Sequence, residues 1–310
     1  MSPDASPRHA SRGHEPAETP AASAKSSGET SREAADAGAE WPLDADDFAA
    51  YYRFAPSALA LRECLRLRAV RKHALDEPIL DIGCGDGLFA RLAHPDKQIW
   101  GIDVNPVEIR RAQATAVYST LVCGNISTVD LPIGFFKGAI ANCSMEHVPG
   151  LDDALKNIRR ALAPGGQLIL IVPTPAWTQL LAVPMMLREA GFGSLASAYG
   201  EGLDKVFHHL HLYDDAEWSR RLVEAGFRVK SVEMLTSKRS SWMFDILLYP
   251  SLFGWVTKKL TGRWVLAPFL RTFTADLTRT IVNAIAKRVP DADDGSEYLI
   301  VAEVPEADAE

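Results

Sequence analysis

A glycine-rich turn at residues 79–87, with the sequence ILDIGCGDG, constrains the fold of this chain more than any other feature. An apolar run, Ile79–Ile82, leads into the turn, and the run Leu88–Leu92 after it has the composition of a helix. A second apolar run, Ile99–Asp103, ends in a carboxylate. A strand, an open turn, a helix and an acid at the tip of the next strand predict a βαβ unit that binds a nucleoside.

The spacing of the glycines distinguishes between nucleoside ligands. A dinucleotide-binding turn has the pattern G-x-G-x-x-G, but here Leu88 stands where the third glycine belongs, and Gly87 comes one residue early. Asp81 precedes the first glycine, Gly83, by two residues, and its charge would repel a pyrophosphate and attract a cationic ligand. The segment resembles the first motif, D-x-G-x-G-x-G, of the class I S-adenosylmethionine (SAM)-dependent methyltransferases.

Two further segments resemble this family in the expected order. Asp103 ends the second strand, where the resemblance implies a bidentate contact to the ribose hydroxyls. The segment 123–132 resembles the family's G-D-A-x-x-L-P, which implies that Asn125 meets the adenine amino group and that Ile126 stacks on the ring. Asn125 replaces the commoner aspartate, and its amide oxygen can still accept a hydrogen bond.

The segments 136–148 and 158–173 resemble the family's fourth strand with its tip, and the R-x-L-x-P-G-G turn into the fifth strand. The resemblance extends roughly from Tyr51 to Val304. It implies S-adenosyl-L-methionine as the cofactor, bound by Asp81, Gly83, Cys84, Gly85, Asp103, Val104, Asn125, Ile126 and Asn142, and by Arg53 at the methionine carboxylate.

Composition excludes several classes of protein. The net charge of −7 argues against a nucleic-acid partner, which would require a basic face. The four cysteines, Cys64, Cys84, Cys123 and Cys143, form no C-x-x-C pair, so we expect no zinc site and a reducing, cytoplasmic location. Residues 1–40 lack aromatic residues and any apolar run, which predicts a disordered tail without a secretory signal.

Residues 41–310 are expected to form one methyltransferase domain, with lid helices over the cofactor at 41–77. The fold class is α/β: a Rossmann-like, seven-stranded, mostly parallel sheet flanked by helices. By resemblance, the last strand should run antiparallel between the fifth and sixth. The predicted strands are Pro78–Ile82, Gln98–Asp103, Ser119–Cys123, Gly138–Asn142, Gln167–Val172, Arg228–Leu235 and Glu297–Glu303. The predicted helices between them are Pro106–Tyr118, Asp152–Leu162 and Asp214–Ala225.

Two segments, 174–213 after the fifth strand and 236–296 between the sixth and seventh, lie outside the minimal fold and are expected to be helical insertions. In the second, apolar residues recur at helical spacing over 242–285, with charged residues and Pro250 interrupting every run that could span a membrane. One interpretation is a helical cap that walls the acceptor pocket or mediates a homodimer. The other is a surface that contacts a membrane peripherally or admits a lipid-like acceptor.

SAM carries an activated methyl group, so the protein need only align the acceptor and, for a hydroxyl, remove its proton. His147, just past the fourth strand, is a candidate base. His208, His209 and His211 precede the sixth strand and are further candidates for a base or a substrate contact. We expect no metal, because only His208 and His211 could share a face and the sequence offers no nearby carboxylate pair.

These features predict a SAM-dependent methyltransferase that methylates a small-molecule, lipid-linked or sugar-linked acceptor, at oxygen, by in-line displacement. Strand four lacks the Pro-Pro-aromatic sequence of enzymes that methylate base or amide nitrogens, and only Glu146 matches the paired glutamates of arginine methylation. The alternatives are C-methylation of a quinone or polyketide-like ring, and a non-catalytic protein of the same fold that binds a partner or membrane.

Overall fold

A computed structural model describes residues 41–289, 292 and 294–306. The tail predicted for residues 1–40 lies outside the described residues. All the described residues belong to one compact unit. Among them, no helix is long and apolar enough to cross a membrane.

A seven-stranded sheet forms the centre of the fold, with strand order β3-β2-β1-β4-β5-β7-β6. The first five strands in the chain pair in parallel, and β7 runs antiparallel between β5 and β6. The α/β fold class and the insertion of the last strand, predicted from the family resemblance, are therefore confirmed. The strands are Ile79–Ile82 (β1), Ile99–Asp103 (β2), Tyr118–Cys123 (β3), Phe136–Asn142 (β4), Leu162–Pro173 (β5), Arg228–Ser237 (β6) and Gly295–Glu303 (β7).

Helices cover the sheet, and their ends follow from local sequence. Asn105 caps α4 by accepting a hydrogen bond from the backbone of Val107, and Pro106 stands in its first turn. Asp214 caps α8 in the same way. The helices are Ala45–Phe54 (α1), Ser57–Val70 (α2), Leu88–Ala93 (α3), Pro106–Gln113 (α4), Leu151–Ala161 (α5), Ala182–Glu189 (α6), Gly193–Phe207 (α7), Asp215–Glu224 (α8), Lys238–Thr261 (α9) and Pro268–Ala286 (α10).

Two elements, α4 and β5, differ from their predicted extent by five residues. The helix predicted to reach Tyr118 ends at Gln113, because Ala116 adopts a positive φ and the chain enters β3 at Tyr118. Strand β5 begins at Leu162, five residues before the predicted start, and it includes the Pro-Gly-Gly segment. A register irregularity opposite Phe136 and Gly138 accommodates these residues within the sheet.

The two segments outside the minimal fold are helical, as predicted. The first contains α6 and α7, and the second contains α9 and α10. Helix α9 packs against α2 and also contacts β6 and β7, and α10 packs against α1. Helix α2 is consequently buried along most of its length, including the charged residues Arg62, Glu63 and Arg66.

Candidate functional site

Three adjoining cavities lie at the carboxyl ends of β1, β2 and β4, the edge where parallel α/β sheets bind ligands. The β2 cavity, about 300 Å³, adjoins the tip of β2, and the glycine-turn cavity, about 190 Å³, adjoins the turn after β1. The β4–α2 cavity, about 260 Å³, lies between the end of β4 and helix α2. Gly83 lines the first two cavities, Asn142 lines the last two, and His147 lines the β2 and β4–α2 cavities.

The glycine turn has a conformation that only glycine adopts easily. Gly83 has φ +72°, and a Cβ built there would lie 2.4 Å from the Cβ of Ser144. Gly85 has φ +54°, but a Cβ there would meet no atom within 4 Å. Gly83 is therefore required by close packing as well as by its backbone conformation, whereas the space beside Gly85 is open to a ligand.

Asp103, at the tip of β2, holds the glycine turn that follows β1. Its Oδ2 accepts a hydrogen bond from the Gly85 backbone N–H at 3.0 Å, and its Oδ1 accepts one from the Asn105 N–H at 2.7 Å. The carboxylate also lines the β2 cavity, together with Val104, whose side chain is exposed. Asp103 thus fixes the turn and presents acceptor oxygens to a ligand.

Asp81 forms a buried acidic wall of the glycine-turn cavity. The Tyr118 hydroxyl donates a hydrogen bond of 2.6 Å to its Oδ2. Burial raises the pKa of Asp81 to about 7, with a further increase from nearby Asp103 and a partial opposing effect from the Tyr118 hydrogen bond. A cation bound beside Asp81 would stabilise the carboxylate form and lower this pKa.

Two residues expected to contact adenine, Asn125 and Ile126, line the β2 cavity. The Asn125 Oδ1 accepts hydrogen bonds from the backbone N–H and the hydroxyl of Ser127, at 3.0 and 2.7 Å. Ile126 is buried beneath the cavity. The amide of Asn125 is therefore held in place by its own loop.

Asn142, at the tip of β4, lies where the glycine-turn and β4–α2 cavities meet. Its Nδ2 donates to Glu63 Oε2 at 2.9 Å, and its Oδ1 is buried with no hydrogen-bond partner among the described residues. The Tyr51 hydroxyl, on the wall of the glycine-turn cavity, also has no partner within the described part of the chain. Unsatisfied polar atoms around a cavity are the positions that a bound ligand would satisfy.

A buried ion network joins α2 to β7 beside the β4–α2 cavity. Arg66 donates to Glu297 at 2.5 and 3.1 Å and to Glu63 at 2.6 Å, and Arg62 donates to Glu297. Burial opposes ionisation of Glu297, but Arg66 and Arg62 outweigh it and lower the pKa to about 2. The Nε and Nη2 of Arg62 are buried with no hydrogen-bond partner in the described structure.

Glu146, His147 and His209 form a cluster at the β4–α2 cavity, with one oxygen or nitrogen atom from each lying within 4.8 Å of the others. His147 Nδ1 lies 3.0 Å from the His208 carbonyl, and His209 Nδ1 lies 3.2 Å from Asp204 Oδ1. Because a carbonyl and a carboxylate only accept hydrogen bonds, each Nδ1 carries the proton and each Nε2 keeps a lone pair. This cluster was not expected from the sequence.

The pKa values of the cluster favour uncharged forms. Burial raises the pKa of Glu146 to about 8 and lowers the pKa values of His147 and His209 below the ordinary histidine value. The proximity of His147 and of the Arg62 guanidinium lowers the pKa of His209 further, against the opposing hydrogen bond to Asp204. Both imidazoles are therefore available near neutral pH as proton acceptors.

His147 and His209 line the β4–α2 cavity, whereas His208 and His211 line none of the three cavities. His208 ends α7 in a left-handed conformation, and its role here is the carbonyl that holds His147. Both ring nitrogens of His211 lie within hydrogen-bonding distance of groups nearby, the Val148 carbonyl and the Tyr213 hydroxyl. Arg53 is exposed and lies over the ring of Phe54, outside the three cavities.

The remaining predicted cofactor residues, Asp81, Gly83, Cys84, Gly85, Asp103, Val104, Asn125, Ile126 and Asn142, all line the β2 or glycine-turn cavity. Sequence reasoning missed the residues contributed by α2, β7 and the insertions, namely Arg62, Glu63, Arg66, Trp177, Phe207, Phe244, Trp264 and Glu297. An available signal was Glu297, an acid that directly precedes the apolar run 298–302 of the last predicted strand.

Sequence comparison places the chain in a family. The profile of the methyltransferase domain family matches residues 51–232, more than half of the chain. An uncharacterized methyltransferase of Mycobacterium bovis is 31% identical over 30% of this chain and 49% of its own length. The 27-O-demethylrifamycin SV methyltransferase of Amycolatopsis mediterranei is 30% identical over 57% of this chain and 64% of its own length. The chain thus spans about half to two thirds of the length of these relatives.

A solved structure supports the same fold. The 4+2 cyclase SpnF superposes with a TM-score of 0.51 at 20% sequence identity, over 80% of this chain and 83% of that chain. At this identity the likeness is one of fold alone. The family match, the strand order and the glycine turn agree: the chain belongs to the methyltransferase domain family and has the class I fold of the S-adenosylmethionine-dependent methyltransferases.

Proposed function

We propose that this protein transfers the methyl group of SAM to the oxygen of a small, lipophilic acceptor bound in the β4–α2 cavity. The observation that carries the proposal is the meeting of the cavities: Asn142 lines both the glycine-turn and β4–α2 cavities, and His147 lines both the β2 and β4–α2 cavities. Donor and acceptor would therefore meet above the tip of β4.

The residues at the β2 and glycine-turn cavities fit SAM. The open space beside Gly85, the unpartnered Asn142 Oδ1 and the unpartnered Tyr51 hydroxyl are positions that a polar ligand would fill. Asp103, Asn125 and Ile126 would hold the adenosine portion, and Asp81 would favour the cationic methionine portion. When bound, SAM supplies a methyl group activated by a positively charged sulfur.

The protein's own part in the reaction is to orient the acceptor, exclude water and accept a proton. The β4–α2 cavity is walled by Leu59, Trp177, Phe207 and Phe244, which suits an apolar acceptor body. The Nε2 of His147, with its lone pair free, lies where an acceptor hydroxyl would approach Asn142 and Cys143. His147 would accept the hydroxyl proton, and His209 lies beside it as a second acceptor.

The guanidinium of Arg62 favours an acceptor that carries an oxygen atom able to accept hydrogen bonds. Its Nε and Nη2 are donors without a partner in the described structure, beside the stacked ring of Phe244 at 4.2 Å. A carbonyl, phenolate or carboxylate oxygen that reached this edge would satisfy both donors. Replacing Arg62 by Lys would keep a cation beside Glu297 but remove the planar fork, so we expect KM to rise about tenfold with kcat little changed.

Transfer of a labelled methyl group tests the proposed function directly. The full chain is incubated with methyl-tritiated SAM and fractionated lipid and small-molecule extracts, with the Asp103→Ala variant as the matched control. We expect label in an organic-soluble product with the wild type and none with the variant. NMR of the product separates an O-methyl from a ring C-methyl group; a ring C-methyl product would overturn the oxygen assignment.

Two outcomes would contradict methyl transfer or SAM binding itself, rather than only the choice of oxygen. If the wild type binds SAM but transfers label to no fraction, methyl transfer to a small lipophilic acceptor is contradicted, and a binding role remains. If it binds neither SAM nor its demethylated product, the cofactor assignment itself is wrong.

A further inference from the structure

The helical hairpin of α9 and α10 exposes an unusual amount of apolar surface. Among the described residues, 14 of the 25 exposed large apolar side chains fall within residues 246–285. Half-exposed side chains of this size together present on the order of 1,000 Å² of apolar surface, and large exposed apolar surfaces mark sites that contact proteins or membranes. This surface requires an explanation.

The exposed residues form stripes at helical spacing. On α9 the stripe runs through Ile246, Tyr249, Phe253, Val256 and Leu260, at intervals of three and four residues. The buried positions Gly254 and Thr257 alternate with it and face the protein interior. Helix α9 thus carries an apolar stripe that is exposed rather than packed against the rest of the described chain.

Helix α10 repeats this arrangement. Its exposed stripe contains Leu270, Phe273, Leu277, Ile281 and Ile285, and Phe273 is 83% exposed. Its buried side uses Ala275, Val282 and Ala286, which lie on the opposite face. The two stripes belong to consecutive helices that contact each other.

The hairpin is also strongly basic. Residues 238–288 contain nine Lys and Arg residues against two acidic residues, a formal charge of +7 in a chain whose net charge is −7. Lys259 and Arg263, at the turn between the helices, are exposed. A helix with an apolar face and flanking basic residues is typical of segments that lie in the interface of an anionic membrane.

We propose that the α9–α10 hairpin docks on an anionic lipid bilayer, with the two apolar stripes in the interface and the exposed basic residues, Lys259 and Arg263 among them, at the headgroups. Residues 1–40 cannot cover the stripes, because they contain no Leu, Ile, Val or aromatic residue. A symmetric dimer through this face would set a segment of charge +7 against its own copy. An anionic bilayer would bury the apolar stripes and also attract the positive charge of the hairpin.

The docking surface continues into the site. Phe244, on α9, lines the β4–α2 cavity, and Trp264, in the turn after α9, lines the glycine-turn cavity. An acceptor dissolved in the bilayer would reach the cavity beside the docked hairpin. This consequence for the acceptor rests on the proposed function, whereas the docking itself does not.

Vesicle sedimentation of the full chain without SAM tests the proposal. The vesicles contain either phosphatidylcholine alone or phosphatidylcholine and phosphatidylglycerol in equal parts. We expect the wild type to sediment with the anionic vesicles, less so at high salt. Phe253→Glu/Phe273→Glu and Lys259→Glu/Arg263→Glu should each reduce the partition coefficient at least about tenfold.

Matched controls place the same charge on exposed apolar residues elsewhere. Ile133→Glu and Val223→Glu should bind vesicles as the wild type does. The proposal is overturned if the wild type binds neither vesicle, or if the controls lose binding as much as the hairpin variants. It is also overturned if light scattering shows a wild-type dimer that Phe253→Glu/Phe273→Glu dissociates while no vesicle binding is found. SAM calorimetry on the same variants reports the cofactor site separately.

Discussion

The backbone N–H of Gly85 donates a hydrogen bond of 3.0 Å to the Oδ2 of Asp103, joining the glycine turn to the tip of the neighbouring strand. The other oxygen of this carboxylate accepts from the Asn105 N–H, at the start of α4. A single side chain therefore sets the shape of the turn and the mouth of the β2 cavity.

Gly83→Ala should destabilise the protein by about 2–5 kcal/mol, from roughly 1–2 for the left-handed backbone and roughly 1–3 for the clash with Ser144. The second substitution Ser144→Gly removes the clash and should restore the stability that the clash costs. It also removes the hydrogen bond from the Ser144 hydroxyl to the Ile82 carbonyl, which should cost about 1 kcal/mol. Urea unfolding of the single and double variants measures both contributions. Gly85→Ala, which meets no neighbouring atom, is the control and should lose only the backbone part. Equal losses at the two glycines would contradict the packing argument.

SAM binding should release protons near neutral pH. Since the pKa of Asp81 is about 7, this carboxyl is about half protonated before binding, and a bound cation lowers the pKa and expels up to about half a proton. Affinity should therefore rise as the pH increases through about 7. Calorimetry in phosphate and in Tris should give different apparent enthalpies, and Asp81→Asn should abolish the difference. Identical enthalpies in both buffers for the wild type would show that Asp81 does not titrate on binding.

Methyl transfer should depend on an unprotonated His147. Burial lowers its pKa, so kcat/KM should fall only below the ordinary histidine pKa of about 6.5. His147→Gln should lower the rate about 10²–10⁴-fold at neutral pH and remove this inflection. His208→Asn is the matched control, because Asn tolerates the left-handed backbone and leaves the carbonyl that holds His147 in place. An unchanged pH profile in His147→Gln would assign the base elsewhere.

Activity should not require a metal, although Glu146, His147 and His209 could supply three ligands. The guanidinium of Arg62 near His209 and that of Arg66 near Glu146 disfavour a further cation. We expect the rate to be unchanged after treatment with a chelator, and elemental analysis to find no stoichiometric metal. A rate that falls on chelation and returns with one added divalent ion would refute this prediction.

The residues that line the β2 and glycine-turn cavities were largely predictable from sequence, because many of them lie at the ends of strands. Asp81, Asp103 and Asn142 each follow an apolar run, and parallel pairing brings strand ends to one edge. The positions of these three residues could therefore be predicted from local motifs. The alternation of strands and helices predicted the parallel sheet, and the family resemblance predicted the place of the last strand.

The lining of the β4–α2 cavity was not predictable, because its contacts join parts of the chain that are distant in sequence. Arg62 and Glu297 are 235 residues apart, and an arginine on a helix with three other charged residues would ordinarily face solvent. The histidines show a different difficulty. Three of them fall in four residues, and the left-handed turn at His208, which no local pattern indicates, decides that His209 faces the cavity.

Calorimetric titration of SAM and its demethylated product into the wild type and into Asp103→Ala tests the central assignment most directly. Circular dichroism and thermal unfolding establish that the variant is folded. We predict micromolar binding of both ligands to the wild type and at least about a hundredfold loss in the variant, which lacks the charged hydrogen-bond acceptors. Equal affinity in a folded Asp103→Ala variant, or no binding of either ligand to the wild type, would contradict the account.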